Sequence, residues 1–423
     1  MTEEILTTEP AINRGIKAVG IGKKGSRALT AELAREILDD LKAGQVTDAA
    51  MGAFFAALSI KGVTPEEMAL AEFFPAGTLT SPSRLAYAIA HDAPPFVKET
   101  CAAILEQKEL DKETAYRLGQ FLISGEPGDG ARGLAASALR VRYETAEEYE
   151  GLLLSLQESL SRSFLSPVPP GEPIVQLAEP FDGVDHNYML TPCVAQCLQQ
   201  LSYRVISLIG KNSGPKDGIN LYDIVKELNL PFLPGNRRLG LARKPAAGWF
   251  IDQKDLAPPL DRWVMLRRQT IKRPFLATLE KFLNPCQARI LITSAFHGVY
   301  GEKMATIAER AGFPATIVVR NGIEGTIAFP LTRVVKILCS ARGKDGNYQR
   351  EEIVFDPMAF LGFEIPVEEK LDRPSLTENA KLIQAFLKKK ETPHEQFNHR
   401  VAVTCAGLKQ AITWVETRLK EDG

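Results

Sequence analysis

From Leu29 to Leu41 apolar residues recur at helical spacing, opened by the capping-box-like Leu29-Thr30-Ala31-Glu32 with Thr30 as N-cap and stopped at Gly44. A second segment rich in small and apolar residues predicts a helix over 48–60. A third is predicted to start at Thr64-Pro65-Glu66-Glu67, with Thr64 as the cap and proline in the first turn. The pattern then returns at a shift of 81 residues, the distance from Leu29 to Leu110. Glu32 falls on Glu113, Ala34 on Ala115, Leu41 on Leu122, Gly44 on Gly125, Asp48 on Asp129 and Gly52 on Gly133. Thr64, Glu66 and Glu67 fall on Thr145, Glu147 and Glu148. Helical propensity alone does not repeat glycine stops and Thr-x-Glu-Glu starts together, so the pattern implies a duplicated three-helix unit.

The Ser/Pro-rich stretch 161–173 interrupts this regime. Beyond it, apolar runs at 174–177, 205–209, 289–294, 315–320 and 334–339 alternate with amphipathic segments, which argues for an open sheet flanked by helices. Residues 375–387 and 399–419 return to helical spacing. The expected fold is α/β: an N-terminal helical domain with repeats over 1–80 and 81–165, then an open α/β-sheet domain over 166–423. Within 176–230 two predicted strands end in glycine-containing loops followed by helices, which is where ligands of such sheets bind and where helix starts favour anions. The glycines of Gly20-Ile21-Gly22-Lys23-Lys24-Gly25-Ser26 lack a preceding strand and a GK[ST] ending, so they read as a basic loop rather than a phosphate loop.

Composition changes this picture little. Hydrophobic residues make up 45% and charged residues 24% of 423, as in an ordinary globular protein, and the net charge of −1 says nothing globally about partners. The charge is uneven: residues 201–290 hold 16 Lys/Arg against 7 Asp/Glu, an excess of +9 that leaves −10 for the rest. No apolar run approaches the ~18–20 residues of a membrane span, and the acidic start MTEEILTTEP lacks a signal peptide's regions, so a cytoplasmic protein without membrane association is expected. The six cysteines contain no CxxC pair; Cys193 and Cys197, at helical i,i+4 spacing, read as core thiols rather than metal ligands, and no structural disulfide is expected. The five histidines are scattered and no Ser or Cys sits in a nucleophile elbow, which argues against nucleophilic or His-based catalysis.

Several stretches together resemble the anthranilate phosphoribosyltransferase family, and specifically its divergent branch, which has been linked to nucleic-acid binding. Residues 37–67, with Ala-Leu-Ser-Ile-Lys-Gly-Val-Thr-Pro-Glu-Glu at their end, are similar to that family's helical domain. Arg267 to Arg273 running into Leu283-Asn284-Pro285, then Phe296-His297-Gly298-Val299-Tyr300 and Asn321-Gly322-Ile323-Glu324-Gly325, follow in the family's order. The second helical repeat has no counterpart in the usual member.

The resemblance implies a sugar-phosphate site of Asp182, Gly183, Asn187, Thr191, Gly210, Lys211, Asn212 and Ser213. It implies an acceptor or anion side of Arg267, Arg273, Asn284 and His297. It also implies departures. Aligned through Thr191, the Gly-Thr-Gly-Gly-Asp turn that holds phosphoribosyl pyrophosphate falls on Ala178-Glu179-Pro180-Phe181-Asp182, keeping only the Asp. Pro180 has no N–H to offer and Glu179 would repel phosphates. The acidic pair that binds magnesium falls on Ile327-Ala328, with Glu324 the nearest acid. No cofactor follows from the residues themselves; magnesium is implied only with bound phosphoribosyl pyrophosphate.

Three readings follow. The first is a pentosyltransferase-like protein with altered substrate or lost activity, acting on a phosphorylated sugar or other anion; its alternative is that Asp182 caps a helix starting near Tyr188 and the arginines form surface ion pairs. The second is a nucleic-acid-binding dimer using the basic 201–290 stretch, with Trp249, Phe250 and Trp263 available for stacking. Against it stands a basic face that pairs with the acidic helical domain. The third is that the helical repeats, with their small residues, are an association module through which a homodimer forms.

Overall fold

A computed structural model describes residues 9–22, 25–214, 216–240, 244–295, 300–365, 367 and 370–420. The chain forms two compact units. One comprises Met1–Leu156, Ser213–Pro215 and Arg262–Glu280; the other comprises Gln157–Asn212, Lys216–Asp261 and Lys281–Gly423.

The first unit holds α1 (Ala11–Val19), α2 (Ala31–Lys42), α3 (Asp48–Lys61), a 3₁₀ segment (Pro65–Phe73), α4 (Pro82–Ile89), α5 (Pro95–Leu105), α6 (Lys112–Ile123), α7 (Asp129–Arg142) and the start of α8 (Ala146–Glu158). The predicted Thr30 cap forms, its side chain accepting from the Leu33 amide, and Thr47, not foreseen from the sequence, caps α3 by accepting from the Ala50 amide. The third segment of the first repeat is 3₁₀ rather than α-helical. Pro75 follows at once and holds Phe74 in extended backbone, φ −116° and ψ 162°, so no regular helix continues there.

The repeat is legible atom by atom. Buried Glu67 accepts from the Leu29 amide at 2.9 Å, the Thr64 amide at 2.8 Å and Lys61 Nζ at 2.9 Å. Buried Glu148 accepts from the Leu110 amide at 2.9 Å, the Thr145 amide at 2.8 Å and Arg142. α3 and α7 then pack on each other at glycines. A Cβ at Gly52 would lie 2.1 Å from the Gly130 carbonyl oxygen, and one at Gly133 would lie 2.0 Å from that of Ala49. Since Gly133 is the repeat mate of Gly52 and Gly130 that of Ala49, the contact is reciprocal, as between two copies related by a two-fold axis. The 262–280 segment is tied to the same helices. Trp263 Nε1 donates to the Leu122 carbonyl at 2.7 Å, and Arg140 to that of Arg273 at 2.7 Å.

The second unit is built on a seven-stranded sheet: β1 (Ile174–Ala178), β2 (Arg204–Ile209), β3 (Trp249–Asp252), β4 (Ile290–Ala295), β5 (Ala315–Arg320), β6 (Val335–Arg342) and β7 (Tyr348–Phe355), in the order β3-β2-β1-β4-β5-β6-β7. Neighbours are parallel except for the antiparallel pairs β5/β6 and β6/β7. β1, β2 and β4 are buried along their whole length, as strands covered on both faces must be.

The remaining helices, in chain order, are α9 (Arg162–Leu165), α10 (Thr191–Gln199), α11 (Leu221–Glu227), α12 (Gln253–Leu256), α13 (Pro258–Thr270), α14 (Leu276–Leu279), α15 (Tyr300–Arg310), α16 (Pro357–Leu361), α17 (Leu376–Lys389) and α18 (Glu395–Lys420). α14 and most of α13 belong to the first unit. Five strands were expected; β3 and β7 are additions. β3 is four residues and carries too short an apolar run, and β7 is an edge strand whose outer positions are charged. The aromatic residues expected for stacking are interior. Trp249, Phe250 and Trp263 are 6%, 1% and 2% exposed, because two of them form β3 and the third plugs the helical unit. No helix among the described residues is long and apolar enough to cross a membrane.

Candidate functional site

The site lies in the sheet unit, at the ends of β1 and β2. β1 stops at Ala178 and the chain turns through Glu179-Pro180-Phe181-Asp182. Glu179 points inward. It is 3% exposed and accepts from the Thr191 hydroxyl at 2.7 Å and from the Ile327 amide at 3.1 Å. Burial pushes its carboxyl up to about 7, against the opposing pull of these two hydrogen bonds and of Lys281. Glu179 thus folds inward from the turn. Its carboxyl ties together the two places where the pyrophosphate turn and the magnesium acids would lie.

The backbone just beyond the turn is engaged as well. Residues 184 and 219 form an antiparallel bridge, Val184 N donating to Ile219 O at 3.0 Å and Ile219 N to Val184 O at 2.9 Å. The Gly218 amide donates to the Asp182 carbonyl at 3.2 Å. The bridge demands the glycine at 183: its φ is +73°, and a Cβ there would stand 2.3 Å from the Ile219 carbonyl oxygen. Gly210, at the end of β2, is roofed by Phe181, whose ring would lie 2.7 Å from an added Cβ. Asn220, fully buried, closes the pair of strand ends by donating to the carbonyls of Phe181 at 2.8 Å and Gly210 at 3.2 Å, while its own side chain caps α11. An anion cradle needs amides that point outward, and those of Val184, Gly218 and Ile219 point at carbonyls.

The polar side chains beyond the turn form a second set around Glu324. Its carboxylate accepts from the amides of Asp185 at 2.9 Å and His186 at 2.8 Å, from Asn187 Nδ2 at 3.0 Å and from Lys216 Nζ at 2.9 Å. Burial acts to raise its pKa, but these four donors outweigh it and hold the carboxyl down to about 2. Glu324 itself sits at φ +50°, ψ 24°, a left-handed conformation unusual for a glutamate. Asn187 Oδ1 in turn accepts from Arg400 of α18 at 2.9 Å.

The structure brings Asn187 and Thr191 into these two networks, with Asp182, Gly183, Gly210 and Asn212 around the 184/219 bridge; Asn212 Nδ2 donates to the Gly218 carbonyl at 3.1 Å. Lys211 extends toward Asp261, 3.4 Å away, and lies near enough to Asp252 to oppose the upward shift that burial and its acidic neighbours Asp255 and Asp261 give that carboxyl. Asn284 turns inward to accept from the Ala288 amide at 2.7 Å. Three expected members belong to the other unit: Ser213, Arg267 and Arg273. Arg267 is no surface pair. It is 5% exposed and bound to buried Glu280 at 2.7 Å. Asp182 does not cap a helix near Tyr188, since α10 begins at Thr191 with Leu190 as its N-cap. His297 lies outside the described residues.

The residues do not fit magnesium. Ile327 and Ala328 offer no carboxylate, Glu324 is filled by four donors, and no group of three His, Cys, Asp or Glu among the described residues is arranged to hold a metal ion.

The chain combines a helical unit with a mostly parallel sheet unit, and comparison with known proteins specifies the fold. Residues 16–71 match the glycosyl transferase family, helical bundle domain. The chain is 28% identical over 279 residues to an uncharacterized protein of Aquifex aeolicus (strain VF5), covering 65% of this chain and 81% of that one. Among solved structures it is similar to anthranilate phosphoribosyltransferase from Thermus thermophilus, with a TM-score of 0.59 at 21% identity over 76% of this chain and 90% of that one. It is also similar to the Saccharomyces cerevisiae enzyme in complex with PRPP and Mg, with a TM-score of 0.58 at 13% identity over 78% of this chain and 94% of that one. The chain has the anthranilate phosphoribosyltransferase-like fold.

Proposed function

We propose that this chain is a pentosyltransferase-fold protein whose phosphoribosyl pyrophosphate seat has become a closed polar lock, so that magnesium-dependent phosphoribosyl transfer is not its chemistry. The observation that carries this reading is Glu179, a buried carboxyl joined to Thr191 and Ile327 where the fold's enzymes would need phosphate-binding amides. A pyrophosphate entering there would meet a carboxyl already bonded to Thr191 and Ile327, and like charge as soon as Glu179 ionised. Calorimetry with phosphoribosyl pyrophosphate, with and without magnesium, tests this. No heat is expected up to millimolar concentration. Binding tighter than ~1 mM, about −4 kcal/mol, would overturn the reading and return the protein to the transferases.

The nucleic-acid reading survives as electrostatics alone. With its aromatic residues interior, the basic stretch offers Arg237 and Arg238, both exposed on the 3₁₀ segment Asn236–Gly240 of the sheet unit. Contacts of that kind are made to phosphates and carry no base preference.

Association of two chains through the helical unit is, on the same reading, replaced by pairing within one chain. The α3/α7 contact has the reciprocity of a two-chain interface and consumes the small-residue faces that would make one.

A further inference from the structure

We infer that Cys197 and Cys405 form a thiol–disulfide exchange site, with a low-molecular-weight disulfide as the co-reactant. Both line one cavity of about 670 Å³ in the sheet unit, together with Lys390, Thr392, Asn398 and His399. Cys197 is on α10 and Cys405 on α18. Of the six thiols these two alone are partly exposed; Cys101, Cys193, Cys286 and Cys339 are buried. Cys197 packs against the apolar core, as expected of a core thiol, and also opens onto the cavity. The neighbouring Cys405 side chain, aided by Lys390, lowers the Cys197 pKa against the effect of burial. The same contact and burial raise Cys405. One thiol is thus prepared as nucleophile and its neighbour as the resolving partner.

The chemistry balances within the cavity. The Cys197 thiolate attacks one sulfur of the small disulfide, forming a mixed disulfide and expelling one thiolate. Cys405 then loses its proton to solvent and attacks the Cys197 sulfur, closing the Cys197–Cys405 bond and expelling the second thiolate. Two protein thiols are oxidised and one small disulfide is reduced to two thiols. The bond joins the two helices that serve the site, since α10 begins with Thr191, the donor to Glu179, and α18 carries Arg400, the donor to Asn187.

The full-length protein treated with glutathione disulfide and mapped by non-reducing peptide mass spectrometry tests this. The expected result is a Cys197–Cys405 crosslink with the four buried cysteines still reduced. In Cys405→Ser, the mixed disulfide with glutathione should persist on Cys197. Cys197 remaining alkylatable in the wild type after treatment would overturn the proposal, as would a crosslink to a different cysteine. The wild-type map stands by itself should the variant fail to fold, and circular dichroism of both proteins separates the two cases.

Discussion

The Thr191 hydroxyl donates to Glu179 across 2.7 Å, joining the first residue of α10 to a carboxyl buried at the end of β1. Burial raises the carboxyl to about 7, so the folded protein holds a proton there that the unfolded chain releases near the ordinary carboxylate range. Its contribution to stability is full below that range and is lost as pH rises through about 7, a change on the order of 3 kcal/mol. Glu179→Gln keeps one acceptor, stays neutral and removes this slope. Denaturant unfolding of both proteins between about pH 5 and about pH 8 measures it. The wild type should lose stability relative to the variant as pH rises; parallel curves would show that Glu179 titrates as an ordinary carboxylate.

Glu324 has the opposite sign. Its carboxyl is held down to about 2, so its contribution is present above the ordinary carboxylate range and fades as pH falls toward 2. Glu324→Gln cannot accept from all four donors, and leaving amides of Asp185 and His186 without a partner costs about 2 kcal/mol at neutral pH. The variant should also unfold at a less steep pH dependence in acid. Equal stability of the two proteins at pH 7 would mean that solvent takes the place of the carboxylate.

The helical repeats, the five main strands and the altered turn at 178–182 are legible because each is a local pattern: caps, glycine stops, short apolar runs. The long-range partners that build the polar networks are not. Glu324 reaches Asn187 across 137 positions and Arg400 reaches it across 213. Nothing local marks such partners; only the sheet order, which sets β1 between β2 and β4, brings them together. Glu179 was visible as a departure from a glycine turn, but its direction was not, since a carboxylate facing ligand and one folded inward share the same letters. Arg267 misleads for the same reason, its partner Glu280 lying on the far side of a proline-containing turn.

The pairing of α3 with α7 makes Gly52 and Gly133 the least replaceable residues of the helical unit. A methyl at either would stand about 2 Å from a backbone carbonyl, so Gly52→Ala and Gly133→Ala should each cost more than ~2 kcal/mol. The double variant should cost less than the sum, since both open the same contact. Light scattering on the wild type should give the mass of one chain. A dimer that Gly133→Ala converts to monomers would place the α3/α7 contact between chains instead.

Arg237 and Arg238 are two adjacent exposed cations of the basic stretch in the sheet unit. Each exposed arginine that neutralises a phosphate of single-stranded DNA contributes about −0.7 to the slope of log affinity against log salt. Replacing both by alanine should therefore flatten that slope by about 1.4 and weaken binding alike on pyrimidine and purine oligonucleotides, because phosphate contacts carry no base information. Fluorescence anisotropy across a salt series reads both quantities. An unchanged slope would show that the two arginines touch no phosphate, and the charge excess of residues 201–290 would then be a matter of internal pairing, as it already is for Arg204, which donates to the carbonyls of Glu172 and Pro169, and for Arg289, bound to Glu416.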